Sequence, residues 1–186
     1  MKDEMHPLRY EVYLGKAISM KVLQTERLVL SQLSTKDAAF LLELLNSPGW
    51  LKYIGDRGVK TIEDAEKYVQ DGPMKSYREN GFGINRVSLK KDGTVLGICG
   101  LIKREQLEDV DIGFAFLPSF AGQGYAYEAA SAILAFGREQ LGLQKIVAIT
   151  TQDNDASIKL VLKLGLRFSK LIDWPGEERP LMLFTT

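Results

Sequence analysis

Three stretches of the chain carry residue types and spacings suited to chemistry. In the first, residues 110–117 read as a strand stopped by Pro118, and Gly122-Gln123-Gly124 then opens an amphipathic helix. Glycines there let the backbone approach a ligand closely, and the free N–H groups of a helix start suit a phosphate. No Lys or Arg lies within residues 121–126, so an anion would be held by backbone donors and the helix dipole. The second stretch is Asp109 and Asp111, which alternate onto the Gly113 face of the preceding strand. The third is Asn154 and Ser157 at the start of the last expected helix, where either can simply cap it. A tight turn before a helix accounts for a lone Gly-x-Gly equally well. A dinucleotide fingerprint fits poorly, because Tyr127 stands where a third Gly or Ala belongs and the strand at 145–150 ends without an acid. A P-loop is excluded, since no Gly-Lys-Ser/Thr occurs in the chain.

Composition narrows the chemistry further. The 186 residues hold 24 Lys+Arg against 24 Asp+Glu, with 45% hydrophobic residues, one His and one Cys. Zero net charge argues against a protein whose main task is gripping nucleic acid or an anionic membrane. One Cys and one His leave no zinc site of the usual type, so no metal is expected. A single Cys makes no internal disulfide, and Cys99 between Ile98 and Gly100 reads as a small buried hydrophobe. His6 lies in the least patterned region and is a poor catalytic candidate. The most apolar helical run, residues 129–136, is far short of the roughly 20 residues of a membrane span. The first residues lack the apolar stretch of a signal peptide, so a soluble, cytoplasmic protein is expected.

These groups must be positioned by one domain, and the patterning supplies its elements. Residues from Glu26, with Leu28 and Leu30 alternating, predict a first strand. Thr35 caps a predicted helix with Ala38, Leu41, Leu42 and Leu45 on one face, ending near Ser47-Pro48-Gly49. A second helix follows Thr61, with Glu63 and Asp64 in its first turn and Ala65, Tyr68 and Val69 inward. Residues 83–90 and 94–103 flank Lys91-Asp92-Gly93 and predict a hairpin. After the strand at 110–117, a helix presents Ala130, Ile133, Leu134, Gly137 and Leu141. A strand at 145–150 and a helix presenting Ile158, Val161, Leu162 and Gly165 come next. Strands near 166–173 and 181–185 follow, across a Trp174-Pro175-Gly176 turn. That order predicts an α/β-type mixed sheet covered on both faces. Residues 1–21, where Tyr10, Val12 and Leu14 alternate, are expected to be an appendage to a domain spanning 22–186, and Met20 also reads as an alternative start.

Several pieces, in order across residues 23–185, resemble one family. The loop at 121–126 is similar to the pyrophosphate loop of GNAT-superfamily acyltransferases, Arg/Gln-x-x-Gly-x-Gly/Ala, with Gly124 and Ala126 at the last two fixed positions and Ala121 departing from the first. Thr25-Glu26-Arg27-Leu28, Asp111-Ile112-Gly113-Phe114, Gly124-Tyr125-Ala126-Tyr127-Glu128-Ala129 and Asn154-Asp155-Ala156-Ser157 with Lys163-Leu164-Gly165-Leu166 resemble the ribosomal-protein-alanine acetyltransferase-like (RimJ/RimL-type) branch. The resemblance implies a GNAT-type, mainly antiparallel central sheet flanked by helices, and acetyl transfer from acetyl-CoA, as co-substrate, directly to a primary amine. The acceptor would be a peptide N-terminus or a small molecule, and homodimers are common among relatives.

The resemblance also implies roles. Backbone groups of Gly122, Gln123, Gly124, Tyr125, Ala126 and Tyr127 would hold the pyrophosphate. The strand edge at Phe114, Ala115, Phe116 and Leu117 would pair with the pantetheine amides, and an N–H of Phe114 or Ala115 would face the developing oxyanion. Asn154 would contact the pantetheine, and Ser157 is a candidate to protonate the leaving thiolate. A lysine-like amine is only about 0.04% neutral at pH 7, so a base helps, and Asp111 is the first candidate with Asp109 behind it. An ordinary salt-bridged strand carboxylate is the competing reading of Asp111. Glu128 reads as a first-turn helix acid, and Trp50, Tyr53 and Trp174 as linings of the acceptor pocket or as packing. A catalytically weak CoA-binding sensor on the same scaffold remains an alternative, as does a nucleotide-binding oxidoreductase domain.

Overall fold

In the computed structural model, residues 9–10 and 23–186 are described. Among the described residues nine strands form one sheet: β1 Arg9–Tyr10, β2 Leu23–Gln24, β3 Leu28–Gln32, β4 Ile84–Leu89, β5 Val95–Ile102, β6 Val110–Phe116, β7 Ile146–Thr150, β8 Arg167–Ile172 and β9 Leu181–Thr185. The order is β1-β2-β3-β4-β5-β6-β7-β9-β8. All neighbours run antiparallel except β6 and β7, which are parallel. Mixed, mainly antiparallel and covered by helices, this is the expected class of sheet. Tyr10 of the alternating N-terminal stretch pairs with Leu23, whereas Val12, Leu14 and His6 lie outside the described residues.

The helices divide between the two faces. The long α5, Tyr125–Glu139, buries Ala129, Ala130, Ala132, Ile133, Leu134 and Gly137. They pack against Leu28, Leu30, Cys99, Leu101 and Ile112. Small residues bring this helix close: a Cβ on Gly137 would lie 2.8 Å from Ile146 Cδ1. The opposite face, with Ile98, Ala115 and Leu117, is covered by α1 Ala38–Leu45, α2 Pro48–Tyr53, α3 Ile62–Val69 and α4 Lys75–Asn80. The last helix, α6 Asp155–Lys163, follows β7. Each leucine fully buried in these two cores contributes about 2 kcal/mol of transfer free energy.

Four helices cover that second face where the periodicity predicts two. Pro48 does not end a helix but begins one, since proline at the first helical position sacrifices only an N–H that has no partner there. A π-type turn, Gln70–Met74, with Pro73 inside it, joins α3 to α4, and six residues are too few for a clear period. The cap before α1 is Ser34 rather than Thr35; its N–H and hydroxyl donate to Asp37 Oδ2 at 2.8 and 3.2 Å, closing a 3₁₀ turn. Leu44 is buried in α1 and Leu42 only partly, while Leu162 of α6 is 42% exposed. Leu162 lies about 100° around the helix from the buried Val161, which turns it outward.

Candidate active site

The site begins where two parallel strands part. β6 and β7 pair only at Val110 with Ile146 and at Asp111 with Val147. Beyond Asp111 the two strands diverge, and β6 continues to Phe116 paired with β5 alone. Between them opens a cleft of about 1260 Å³, lined by Asp111, Gly113, Phe114, Ala115 and Phe116 on one wall and Ala148, Ile149 and Thr150 on the other. At the ends of these walls stand two helix starts, α5 and α6, whose first N–H groups have no partner within the helix.

The loop leading to α5 is shaped by glycine. Gly122 and Gly124 have φ of +74° and +81°, a region that costs other residues about 1–2 kcal/mol. Gly124 is the N-cap, and Glu128 N–H donating to its carbonyl closes the first turn at 3.1 Å. Gly122, Gly124, Tyr125, Ala126 and Tyr127 line the cleft. Gln123 and Leu117 do not. Gln123 turns back, its side-chain amide donating to the Ser119 carbonyl at 3.2 Å, and Leu117, 7% exposed, points into the core beneath the first helices.

Charge reaches the loop from elsewhere in the chain, which inspection of residues 121–126 misses. Arg27 Nε donates to Glu128 Oε2 at 2.7 Å, Arg27 Nη1 to the Gln123 carbonyl at 3.1 Å, and its guanidinium lies 4.5 Å from the Tyr125 ring centre. Glu128 Oε1 also accepts from the Thr25 hydroxyl at 2.5 Å and the Arg27 N–H at 2.8 Å. Burial alone would raise the Glu128 pKa, but these hydrogen bonds and the guanidinium outweigh it and hold the carboxyl below its ordinary value. Glu128 is thus a first-turn acid and also a clamp tying the first strand region to the loop. From the other side, Lys163 Nζ of α6 sits 4.3 Å from the Tyr127 ring centre, and both line the cleft. The available signal was Thr25-Glu26-Arg27 itself, whose partner stands about a hundred residues away.

Asp111 sits on the cleft wall and is 1% exposed. Arg104 Nε donates to its Oδ1 at 2.9 Å. Burial pushes its pKa up, and Arg104 opposes that shift only in part. A buried, ion-paired carboxylate with a raised pKa is able to take a proton, and its second oxygen is not engaged by Arg104. Asp109 is elsewhere: it pairs with Lys145 at 2.8 Å beside a separate cavity of about 400 Å³. Trp174 belongs to that second cavity as well, its ring centre 5.7 Å from the guanidinium of Arg104, which itself lines the cleft. Asp109 and Trp174 therefore leave the set of cleft residues: Asp109 stands just before β6 and Trp174 in the segment joining β8 to β9, and both face the second cavity.

Asn154 and Ser157 both line the cleft. Asn154 caps α6, its Oδ1 accepting from the Ser157 N–H at 3.1 Å. The capping reading is therefore correct, and it leaves the Asn154 amide N–H groups and the Ser157 hydroxyl for a ligand. Cys99 is fully buried outside the cleft lining, and burial pushes its thiol pKa up. Across β5 and β6 from these groups, Trp50, Tyr53, Ile54, Tyr68 and Pro73 roof a chamber continuous with the cleft.

These walls fit an extended, amide-bearing ligand with a diphosphate: a strand edge, an uncharged loop at a helix start, and flanking Arg27 and Lys163. Among the described residues no cluster of His, Cys, Asp and Glu is arranged to hold a metal. Comparison with known proteins gives the same direction. Residues 27–167 match the family described as Acetyltransferase (GNAT) domain. The chain is 28% identical over 148 residues to YoaA of Bacillus subtilis, described as an uncharacterised N-acetyltransferase, covering 78% of this chain and 82% of that one. An acetyltransferase structure from Agrobacterium tumefaciens superposes with a TM-score of 0.77 at 21% identity, covering 96% of this chain and 98% of the other. The structure of RimL, a ribosomal α-N-protein acetyltransferase in complex with coenzyme A, superposes with a TM-score of 0.76 at 15% identity, covering 89% and 97%.

Proposed function

Because the chain belongs to the GNAT acetyltransferase family, we propose that it transfers the acetyl group of acetyl-CoA directly to a primary amine, with no acetylated enzyme on the way. One observation carries this reading: the free edge of β6 beyond Asp111 runs from a buried carboxylate to the glycine-shaped start of α5. Acetyl-CoA supplies an activated thioester. The chain supplies everything else. Backbone N–H groups at the start of α5 meet the pyrophosphate, and Arg27 fixes the loop that presents them. The edge of Phe114, Ala115 and Phe116 pairs with the pantetheine arm, joined by the Asn154 amide. An N–H of Phe114 or Ala115 donates to the acyl oxygen as charge gathers there. Asp111 takes the amine's proton, directly or through water, and the Ser157 hydroxyl donates toward the thiolate. Cys99 is too deeply buried to serve as an acyl carrier.

Calorimetric titration with acetyl-CoA and with NAD tests the first half; binding of NAD alone would end the acyltransferase reading. A screen of amines and N-terminal peptides for acetyl-CoA consumption tests the second. One observation favours a weaker catalyst serving as a CoA-binding sensor: Arg104 already occupies one oxygen of the proposed base. The two separate on turnover. The sensor binds acetyl-CoA and acetylates nothing in the screen, whereas the enzyme acetylates at least one amine.

A further inference from the structure

The roofed chamber beside Asp111 is unevenly charged. Its walls carry Arg57, Lys75, Lys103 and Arg104 against Glu79, Glu105 and Asp111. Lys75 sits 3.9 Å from Glu79, and Arg104 is bound to Asp111 at 2.9 Å. Lys103 spends a donor on the Glu108 carbonyl at 2.8 Å. Arg57 differs. Its one hydrogen bond among the described residues is a long 3.4 Å donation to the Ile54 carbonyl, and no carboxylate of those residues pairs with it. Arg57, Arg104 and Tyr68 line the same chamber, and both guanidinium charges draw the phenol's pKa down against the larger effect of burial. Tyr68 is held neutral by burial, and its hydroxyl has no hydrogen-bond partner among the described residues. A guanidinium fork and a neutral phenol donor lining one chamber are suited to a carboxylate. The remaining roof is apolar, formed by Trp50, Ile54 and Pro73.

We propose that the acceptor is a small amine that also bears a carboxylate, an amino-acid-type molecule, held by the Arg57 guanidinium and the Tyr68 hydroxyl with its amine turned toward Asp111. This rests on the acyltransferase reading and names its substrate class. The same cations serve the chemistry, because positive charge nearby disfavours the ammonium form of the bound amine. In the transfer, the amine nitrogen forms a bond to the acetyl carbon and the thioester C–S bond breaks. The amine's proton goes to Asp111 or water, and the sulfur leaves as thiolate.

The test compares matched ligands: phenylalanine, phenylalaninamide and phenethylamine, with leucine, leucinamide and 3-methylbutylamine. Each is titrated into the free protein and into the protein saturated with CoA, and kcat/KM is measured with acetyl-CoA. At least one of the two amino acids should bind about tenfold or more tightly than its amide and its decarboxylated amine, the scale of one charge-assisted hydrogen bond. R57Q and Y68F should each shrink that preference while leaving the Kd for acetyl-CoA within twofold. Equal or better binding of the amides or simple amines would overturn the proposal, as would no binding of any of the six. A preference that survives R57Q would do the same. Absence of acetyl-CoA binding would sink the acyltransferase reading by itself, with the carboxylate preference still decided by the titrations into free protein.

Discussion

At the scale of single residues, two carboxylates behave oppositely, and pH separates them. Glu128 is held below its ordinary value, so its ion-paired form stabilises the fold fully above about pH 4.5 and is lost as pH falls through its lower folded value. Glu128→Gln should cost about 1 kcal/mol at pH 7, after allowing for solvent screening of the pair, and should flatten the acid limb of stability. Urea unfolding at pH 7 and pH 4 measures this; an unchanged pH dependence would contradict the clamp. Asp111 has the reverse sign. Burial raises its pKa, so the folded state holds that proton more tightly, and ionising it costs stability as pH rises from its ordinary value through the raised one. In the proposed role of base, it works only when ionised. Asp111→Asn should lower kcat about a hundredfold and remove the acid limb of the pH–rate profile. Retention of that limb in the variant would assign the proton to another group.

At the scale of elements, the start of α5 sets how the loop presents its donors. Gly124→Ala places a side chain at φ +81°, with its Cβ 3.4 Å from Arg27 Nη2. The expected cost is about 1–2 kcal/mol of stability, with about tenfold weaker acetyl-CoA binding, read by calorimetry and thermal unfolding of the same variant. Unchanged affinity would show that the loop's backbone does not hold the ligand. This element was legible in sequence because Gly122 and Gly124 stand between a strand with clear alternation and a helix with clear periodicity. The short helices on the opposite face were not, since α2 and α4 hold six residues each and Pro48, at the start of α2, reads as a terminator. Contacts distant in sequence also escaped. Local patterning assigns Asp109 and Asp111 alike, and only the fold gives one to Arg104 in the cleft and the other to Lys145 outside it. Thr25 and Arg27 were visible as a motif, but not as partners of Glu128.

At the scale of the whole molecule, the cleft exists because one parallel pairing stops after two residue pairs. The sheet is thereby forked, with β6 and α5 on one arm and β7 and α6 on the other. A ligand spanning both arms supplies contacts that the parted strands lack. Acetyl-CoA at a hundred times its Kd should therefore stabilise the fold by about 2.7 kcal/mol. Amide exchange should slow at residues 113–116, at the start of α5 and at the start of α6. Protection confined to one arm would contradict a ligand lying between the strands.

The measurement that bears most directly on the account is a single turnover with acetyl-labelled acetyl-CoA, the enzyme in excess, and an amine found by the acceptor screen. The label should pass to the amine as an N-acetyl product at the rate at which free CoA thiol appears, and the protein should carry none at any time. Label found on the protein before it reaches the amine, or thiol released without an acetylated amine, would contradict direct transfer in this cleft.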